Sequence, residues 1–106
     1  MIDVPLPIRR FIEATNAGDS DAFVEAFSPD AYLEDWGRGF HGQDGARSWD
    51  ASDNIGKRSR FDLIALRQER DEWIATLDVS GDGFNGRSDI SFVIDGDLIA
   101  RMIIAP

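Results

Sequence analysis

The hydrophobic pattern of the chain changes its period near Ser59. Before this residue, apolar side chains recur at helical spacing, as Ile8, Phe11 and Ile12 do. After it, apolar and polar residues alternate along segments that are bounded by turn residues. Spacing of three to four residues predicts amphipathic helices, whereas alternation predicts half-buried strands. The chain is therefore predicted to be an α+β domain in which helices come first and an antiparallel sheet follows.

Three helices are predicted in the first half of the chain. Proline is tolerated in a first helical turn, glycine commonly ends a helix, and Asp19 is a suitable N-cap for the second helix. The third helix carries Ala46 and Trp49 on one face. The expected bounds are Pro5 to Gly18, Asp19 to Pro29, and about Asp44 to Ala51.

One strand is predicted before the third helix and four after it. The Asp95-Gly96 pair is a strong signal for a two-residue hairpin. In the first strand after Ser59, alternation places Leu63 and Ala65 on one face and Leu66 on the other. The expected bounds are residues 31–36, Arg60–Glu69, Trp73–Ser80, Gly86–Ile94 and Leu98–Ala105.

The last two strands are apolar on both faces. Phe92 opposes Val93 across the first of them, and Met102 opposes Ile99 across the second. One face can cover the helices, and the other needs a second apolar partner to keep it from water. We expect this partner to be another copy of the chain, which predicts a homodimer.

Composition excludes several classes of function. The 106 residues carry 20 acidic and 11 basic side chains, a net charge of −9, which disfavours binding to nucleic acid or to anionic membranes. The absence of cysteine excludes disulfides, a thiol nucleophile and Cys metal sites. No signal-peptide pattern or membrane-length apolar run is seen. We therefore expect one cytoplasmic domain spanning residues 1–106.

One carboxylate, that of Asp35, falls on an apolar strand face. Successive side chains of a strand point to opposite faces, so Asp35 shares a face with Ala31 and Leu33. Such a group is either a structural carboxylate at the lip of the fold or a proton-transfer group whose pKa is raised by burial. The residues alone leave both interpretations open.

Four local motifs follow one another in an order that resembles a known superfamily. They are Arg10-Phe11-Ile12-Glu13 with Gly18-Asp19, the run Ala31-Tyr32-Leu33-Glu34-Asp35, the run Phe40-His41-Gly42-Gln43-Asp44-Gly45-Ala46, and Asp89 near the start of the next-to-last strand. The order is similar to that of the nuclear-transport-factor-2-like superfamily, in the branch of SnoaL-like polyketide cyclases and ketosteroid isomerases. The resemblance implies a cystatin-like cone, in which a strongly curved antiparallel sheet wraps around three N-terminal helices and encloses an apolar pocket.

The resemblance also implies roles for particular residues. Asp35 falls where the isomerases place a general base, and Asp89 falls where they place a protonated acid that binds the forming enolate. Where those enzymes carry a tyrosine on the first helix, this chain has Phe11, which cannot donate a hydrogen bond. Asp89 could equally belong to an ordinary polar strand face. His41 is either a structural side chain of its turn or an acid or base beside Asp35.

These assignments predict a cofactor-independent acid–base enzyme, either an isomerase or a cyclase of polyketide type. Its ligand is expected to be an apolar carbonyl compound in a pocket lined by Phe11, Leu33, Trp49 and Phe61. The alternative is a non-catalytic module for ligand binding or dimerisation, which the missing tyrosine favours.

Other chemistry ranks lower. Hydrolysis or dehydration is disfavoured because no Asp-Arg-Asp set lies in order along adjacent strands. The spacing of Asp35, His41 and Asp44 matches no metal-ligand motif. The acidic run Asp50–Asp53 is interpreted as solvated surface.

Overall fold

The computed structural model describes residues 3–106 and shows three α-helices packed against a curved, six-stranded sheet. A short 3₁₀ turn, Ile55–Lys57, follows the third helix. The helices are α1 (Leu6–Ala17), α2 (Ser20–Glu25) and α3 (Gly42–Asp53), and the strands are β1 (Phe27–Asp35), β2 (Arg38–His41), β3 (Arg60–Glu69), β4 (Glu72–Ser80), β5 (Gly86–Asp95) and β6 (Leu98–Ile104).

The strand order across the sheet is β2-β1-β6-β5-β4-β3. All neighbouring strands pair antiparallel except β1 and β6, which run parallel. The sheet is open, with β2 and β3 at its two edges, so it forms a cone rather than a closed barrel. The predicted α+β class and cone are confirmed.

Local sequence explains where α1 ends and α2 begins. Gly18 adopts a left-handed conformation, with φ of 68°, and its N–H binds the last turn of α1. Such a cap suits glycine because it has no Cβ to clash. Asp19 then caps α2, and its carboxylate accepts a hydrogen bond from the backbone N–H of Ala22 at 3.1 Å. Both features were predicted from the sequence.

The predicted end of the second helix at Pro29 was wrong. The helix ends at Glu25, and Pro29 lies inside β1. The pairing of β1 with β6 is irregular between Phe27 and Tyr32, and β2 pairs with β1 only from Tyr32 onward. Proline is therefore tolerated in this strand, because its missing N–H falls where the sheet hydrogen bonds are interrupted.

Two register shifts change which side chains face the helices. Between Leu63 and Ala65 the pairing of β3 with β4 shifts, so Leu66 packs against the core and Ala65 is exposed. A second shift, in the pairing of β5 with β6, lets both Ile99 and Met102 be fully buried. The sequence prediction had placed Leu63 and Leu66 on opposite faces, and likewise Ile99 and Met102. Strict alternation fails here because it holds only for a strand without bulges.

Phe11 lies at the centre of the core. Its ring centroid is 5.1–6.3 Å from those of Phe23, Phe27, Phe61 and Phe92. The rings meet in stacked, tilted and edge-on geometries, which are the favourable ones for aromatic pairs. This cluster joins α1, α2 and three strands, and it supports the inner face of the sheet.

We expect the outer face of the sheet to form a homodimer interface. Ile74, Val93 and Ile103 are half-buried there, next to the buried residues Ala75, Phe92 and Met102 of the inner face. A stable interface should bury on the order of 1,200–2,000 Å² in total. Sedimentation at micromolar concentration should therefore give the mass of a dimer.

A charged variant provides the control for this prediction. Ile103→Lys should yield a monomer with an unchanged circular dichroism spectrum, because it alters only the outer face. A monomeric native chain at the same concentration would contradict the prediction.

Candidate functional site

A cavity of about 800 Å³ lies between α3, the 3₁₀ turn and the ends of β1, β4, β5 and β6. Part of its wall is buried and apolar, and includes Trp49, Phe61 and Ile90. Trp36 and Phe84 also line it, and they are 63% and 54% exposed. The cavity thus runs from the core to an opening flanked by two aromatic side chains, and its size suits a small organic ligand.

Asp35 lies in the wall of this cavity, and its side chain is 15% exposed. Trp49 Nε1 donates a hydrogen bond to Asp35 Oδ2 at 2.9 Å. Arg38 Nη2 donates to the same oxygen at 3.0 Å. Within residues 3–106, no hydrogen bond reaches Asp35 Oδ1. One carboxylate oxygen is therefore anchored by two donors, and the other has no hydrogen-bond partner in that range.

The hairpin between β1 and β2 brings Arg38 to Asp35. Trp36 and Gly37 form its two-residue turn with φ of 51° and 83°. Two successive positive φ values are typical of the tight turns that join antiparallel strands. A bulky residue such as Trp36 rarely adopts this conformation. The turn makes Asp35 and Arg38 direct partners across the two strands.

Arg38 also binds the end of α3. Its Nη2 atom lies 3.1 Å from Asp53 Oδ1, so one guanidinium joins Asp35 and Asp53. This Asp-Arg-Asp set was missed in the sequence because its members come from a hairpin and a helix rather than from adjacent strands. The available signal was the pair of opposite charges on either side of the Trp36-Gly37 turn. One guanidinium therefore holds a carboxylate of the hairpin and a carboxylate of the helix end together at the cavity wall.

The pKa of Asp53 lies below its ordinary value. Partial burial would raise the pKa, but hydrogen bonds from Ser52 and Arg38, together with the charges of Arg38 and Lys57, outweigh that effect. A carboxyl group with a lowered folded-state pKa stabilises the fold above its unfolded pKa of about 3.9. This stabilisation is lost as the pH falls through the folded-state pKa.

Replacing Arg38 should therefore weaken the acid sensitivity of the fold. We expect Arg38→Met to show a smaller drop in urea midpoint between pH 6 and pH 3 than the native chain. Asp78 and Asp82, whose pKa values are lowered by hydrogen bonds from Arg87 and Arg58 respectively, contribute equally to both proteins. An identical pH dependence in the two proteins would contradict the role given to Arg38.

The interpretation of the acidic run Asp50–Asp53 as solvated surface was wrong for its first member. Asp50 is 1% exposed and accepts hydrogen bonds from Asn54 Nδ2 at 3.2 Å and from the Ile55 N–H at 3.4 Å. These contacts close the C-terminal end of α3. A buried acid inside a charged run leaves no clear signal in a sequence, since the same residue types are typical of an exposed helix face.

The two predicted catalytic partners of Asp35, Asp89 and His41, differ in their position relative to the cavity. Asp89 contributes to the cavity wall, but its side chain is exposed and accepts a hydrogen bond from Thr76 Oγ1 at 2.6 Å. His41 is exposed, lies outside the cavity wall and packs against Tyr32, with ring centroids 5.1 Å apart. The structure therefore does not bring His41 to Asp35, and Asp89 lies at an exposed part of the cavity wall.

The four predicted pocket residues divide into two groups. Trp49 and Phe61 line the cavity, and Asn16 holds Phe61 through hydrogen bonds with both its backbone N–H and its carbonyl oxygen. Phe11 and Leu33 are fully buried in the core and do not line it. Phe61 stacks on Phe11 at 5.3 Å, so Phe11 supports the cavity wall from behind.

No group of three His, Asp or Glu side chains within residues 3–106 is arranged to hold a metal ion. In the same range, no helix has the length and apolar character needed to cross a membrane.

Several solved structures share this fold. A putative polyketide cyclase from Sinorhizobium meliloti is 27% identical, with a TM-score of 0.86 over 96% of this chain and 95% of that one. A Δ5-3-ketosteroid isomerase from Mycobacterium sp. is 14% identical, with a TM-score of 0.78 over 94% and 89% of the two chains. A Mycobacterium tuberculosis protein in complex with estradiol-17β-hemisuccinate is 13% identical, with a TM-score of 0.78 over 92% and 88%.

Comparison with curated proteins finds no matching sequence. The family model described as SnoaL-like domain matches residues 8–102, which include every strand up to the middle of β6. With the fold and the cavity described above, this match shows that the chain belongs to the SnoaL-like family.

Proposed function

We propose that the cavity binds an apolar carbonyl compound and that Asp35 removes a proton from the carbon next to the carbonyl group. The observation that carries this proposal is the asymmetry of the Asp35 carboxylate. Its Oδ2 atom is held by Trp49 and Arg38, whereas Oδ1 is unbonded in the described chain, at the wall of a partly apolar cavity. A base that is positioned in this way needs no cofactor to move a proton.

The proposed reaction begins with the removal of a proton from the ligand. Asp35 Oδ1 takes the proton, and the electrons of the broken C–H bond form an enolate on the carbonyl oxygen. Return of the proton to another carbon completes an isomerisation. In a cyclisation, the enolate carbon instead attacks a second carbonyl group, and the alkoxide that forms takes the proton back from Asp35.

The enolate oxygen needs a donor, and Lys57 is the cavity residue best suited to that role. It is the only lysine of the chain, it lines the cavity, and it forms no ion pair within residues 3–106. Lysine is protonated at neutral pH and can donate. Asp89, the donor implied by the resemblance, would have to be protonated to act, and its exposed carboxylate already accepts a hydrogen bond from Thr76 Oγ1.

The structural neighbours support this ligand class. They include a putative cyclase, a steroid isomerase and a protein solved with an estradiol derivative. Cyclisation and isomerisation share the enolate-forming step that we assign to Asp35. The neighbours favour a rigid carbocyclic ligand, and the partly apolar wall of the cavity agrees with this preference.

A non-catalytic binding module is the second candidate. It is favoured by Phe11, which is fully buried and places no hydroxyl group near the cavity. Oxyanion donors contribute about 10²–10³-fold to the rates of enzymes that use them, so their loss can leave binding without turnover.

One experiment separates the two candidates. A panel of enolisable cyclic ketones is incubated with the protein in deuterated water, and loss of the proton next to the carbonyl group is followed by NMR. Binding of each ketone is measured in parallel by the fluorescence of the tryptophans in the cavity wall. We expect exchange at about 10²-fold or more above buffer for a ketone that binds. Binding without exchange across the panel would favour the binding module.

A further inference from the structure

Asn54 carries a buried oxygen atom without a hydrogen-bond partner. The residue is 1% exposed and lies directly after α3, in the wall of the cavity. Its Oδ1 atom is the only buried side-chain nitrogen or oxygen within residues 3–106 that has no partner. Buried amide oxygens are nearly always bonded, because leaving one unpaired loses its contact with water and gains nothing in return. This atom therefore has no donor in the described part of the chain and is itself almost out of reach of water.

The surrounding contacts fix which end of the amide is unpaired. Asn54 Nδ2 donates to Thr15 Oγ1 at 2.9 Å and to Asp50 Oδ1 at 3.2 Å. The Thr15 hydroxyl already donates its proton to the Phe11 carbonyl oxygen at 2.8 Å, so it can only accept from Asn54. Exchanging the two ends of the amide would set its oxygen against two acceptors, one of them a carboxylate. The unpaired atom is therefore the oxygen.

The backbone of Asn54 is also fully used. Its N–H binds the Asp50 carbonyl oxygen at 3.1 Å, and its own carbonyl oxygen accepts from the N–H groups of Lys57 and Ser59. Every other polar atom of the residue thus has a partner. The remaining acceptor belongs to a residue of the cavity wall, which also includes the buried apolar side chains of Trp49 and Phe61.

We propose that Asn54 Oδ1 accepts a hydrogen bond from a hydroxyl or N–H group of the ligand. The substrate class is then an apolar carbocyclic compound that carries a donor group in addition to its carbonyl group. Because Oδ1 is buried behind the cavity surface, the wall must shift to admit the donor, and the same ligand then has the Asp35 carboxylate as a second polar contact. This inference rests on the proposed ligand-binding role of the cavity, but it does not require proton transfer.

A ligand series in the native protein tests this proposal. The probes are estradiol, which has hydroxyl groups at both ends, its 3-deoxy analogue and its 17-deoxy analogue. Affinities are measured by tryptophan fluorescence and calorimetry. We expect one of the two deoxy compounds to bind about tenfold more weakly than estradiol, since a buried site built for a donor rejects the analogue that lacks it. Equal affinities for all three compounds would overturn the proposal and would assign the donor to a trapped water molecule.

A spectroscopic readout locates the effect at Asn54. The side-chain amide signals of Asn54 in a nitrogen–proton NMR spectrum should shift with estradiol and with the deoxy analogue that retains the required hydroxyl. They should stay in place with the other analogue. A shift that is the same for all three ligands would show that Asn54 senses occupancy of the cavity and accepts no hydrogen bond, which would also overturn the proposal.

A substitution adds a second comparison. Asn54→Leu removes the oxygen but also the contacts with Thr15 and Asp50, and it can fail to fold, so the native ligand series carries the test. If Asn54→Leu folds, the preference for the hydroxylated ligand should fall to about one; a preserved tenfold preference would assign it to another residue. A preference for the hydroxylated ligand without deuterium exchange would support this inference and reject the proposed enzyme. Deuterium exchange without that preference would support the enzyme and reject this inference.

Discussion

Asp35→Asn should lower the rate of deuterium exchange by about 10²–10⁴-fold, which is the contribution typical of a positioned general base. The substitution keeps the size of the side chain and lets its oxygen accept from Trp49 and Arg38. It removes the ability of the group to accept a proton. Ligand affinity should change far less than the rate, because the base acts on the reacting carbon rather than on the body of the ligand.

Asp71→Asn is the matched control for this prediction. Asp71 lies in the exposed turn between β3 and β4, outside the cavity wall, and undergoes the same chemical change. Its exchange rate should equal that of the native chain. Activity that survives in Asp35→Asn would retain the enzyme but reject Asp35 as its base.

Phe11→Ala should lower the free energy of unfolding by about 3–5 kcal/mol, the usual cost of removing a buried aromatic ring. Phe11 is fully buried and contacts four other phenylalanines, so its removal leaves a void between α1 and the sheet. Urea unfolding followed by circular dichroism measures the change. Phe84→Ala, at the exposed opening of the cavity, is the control and should change stability by about 0.5 kcal/mol or less.

Phe11→Tyr introduces the tyrosine that the resemblance to ketosteroid isomerases implies at this position. In this chain the new hydroxyl would enter a cluster of aromatic rings, with Phe61 between Phe11 and the cavity. We expect a loss of about 1–3 kcal/mol in stability, as for a buried hydroxyl without a partner, and no gain in exchange rate. A large rise in exchange rate would show that the hydroxyl reaches the ligand.

The fold was largely predictable because its signals are local. The period of the apolar residues, the Gly18 stop and the Asp19 cap each depend on a few neighbouring residues. Pro29 and the two register shifts were missed, because they depend on how β1, β3 and β6 pair with strands that are distant in the chain. Bulges of this kind leave little trace in an alternating pattern.

The site was predictable only in part. The strand pattern predicted that Asp35 would lie on the inner side of the sheet, and the structure places it, together with Trp49, in the cavity wall. The roles of Arg38, Asp53 and Asn54 could not be inferred, because they arise from contacts between a hairpin, a helix end and the turn that follows it. Charged and amide residues at such positions are usually solvated, so the residue types alone predict an exposed surface.

We expect the parallel pairing of β1 with β6 to form late in folding, and the surroundings of Asp35 to be completed with it. Asp35 lies beside Ile104, and the Trp36 N–H binds the Ile104 carbonyl oxygen at 2.9 Å. This pairing joins an early strand to the last one. The chain must therefore lose the conformational entropy of a long loop before the contacts between the two strands can form. The α1–α2 pair and the β3–β4 hairpin can assemble without it. A chain that has collapsed around its phenylalanines would therefore still leave Asp35 in water, so recovery of the proposed exchange activity should lag behind recovery of helix and hairpin signals during refolding.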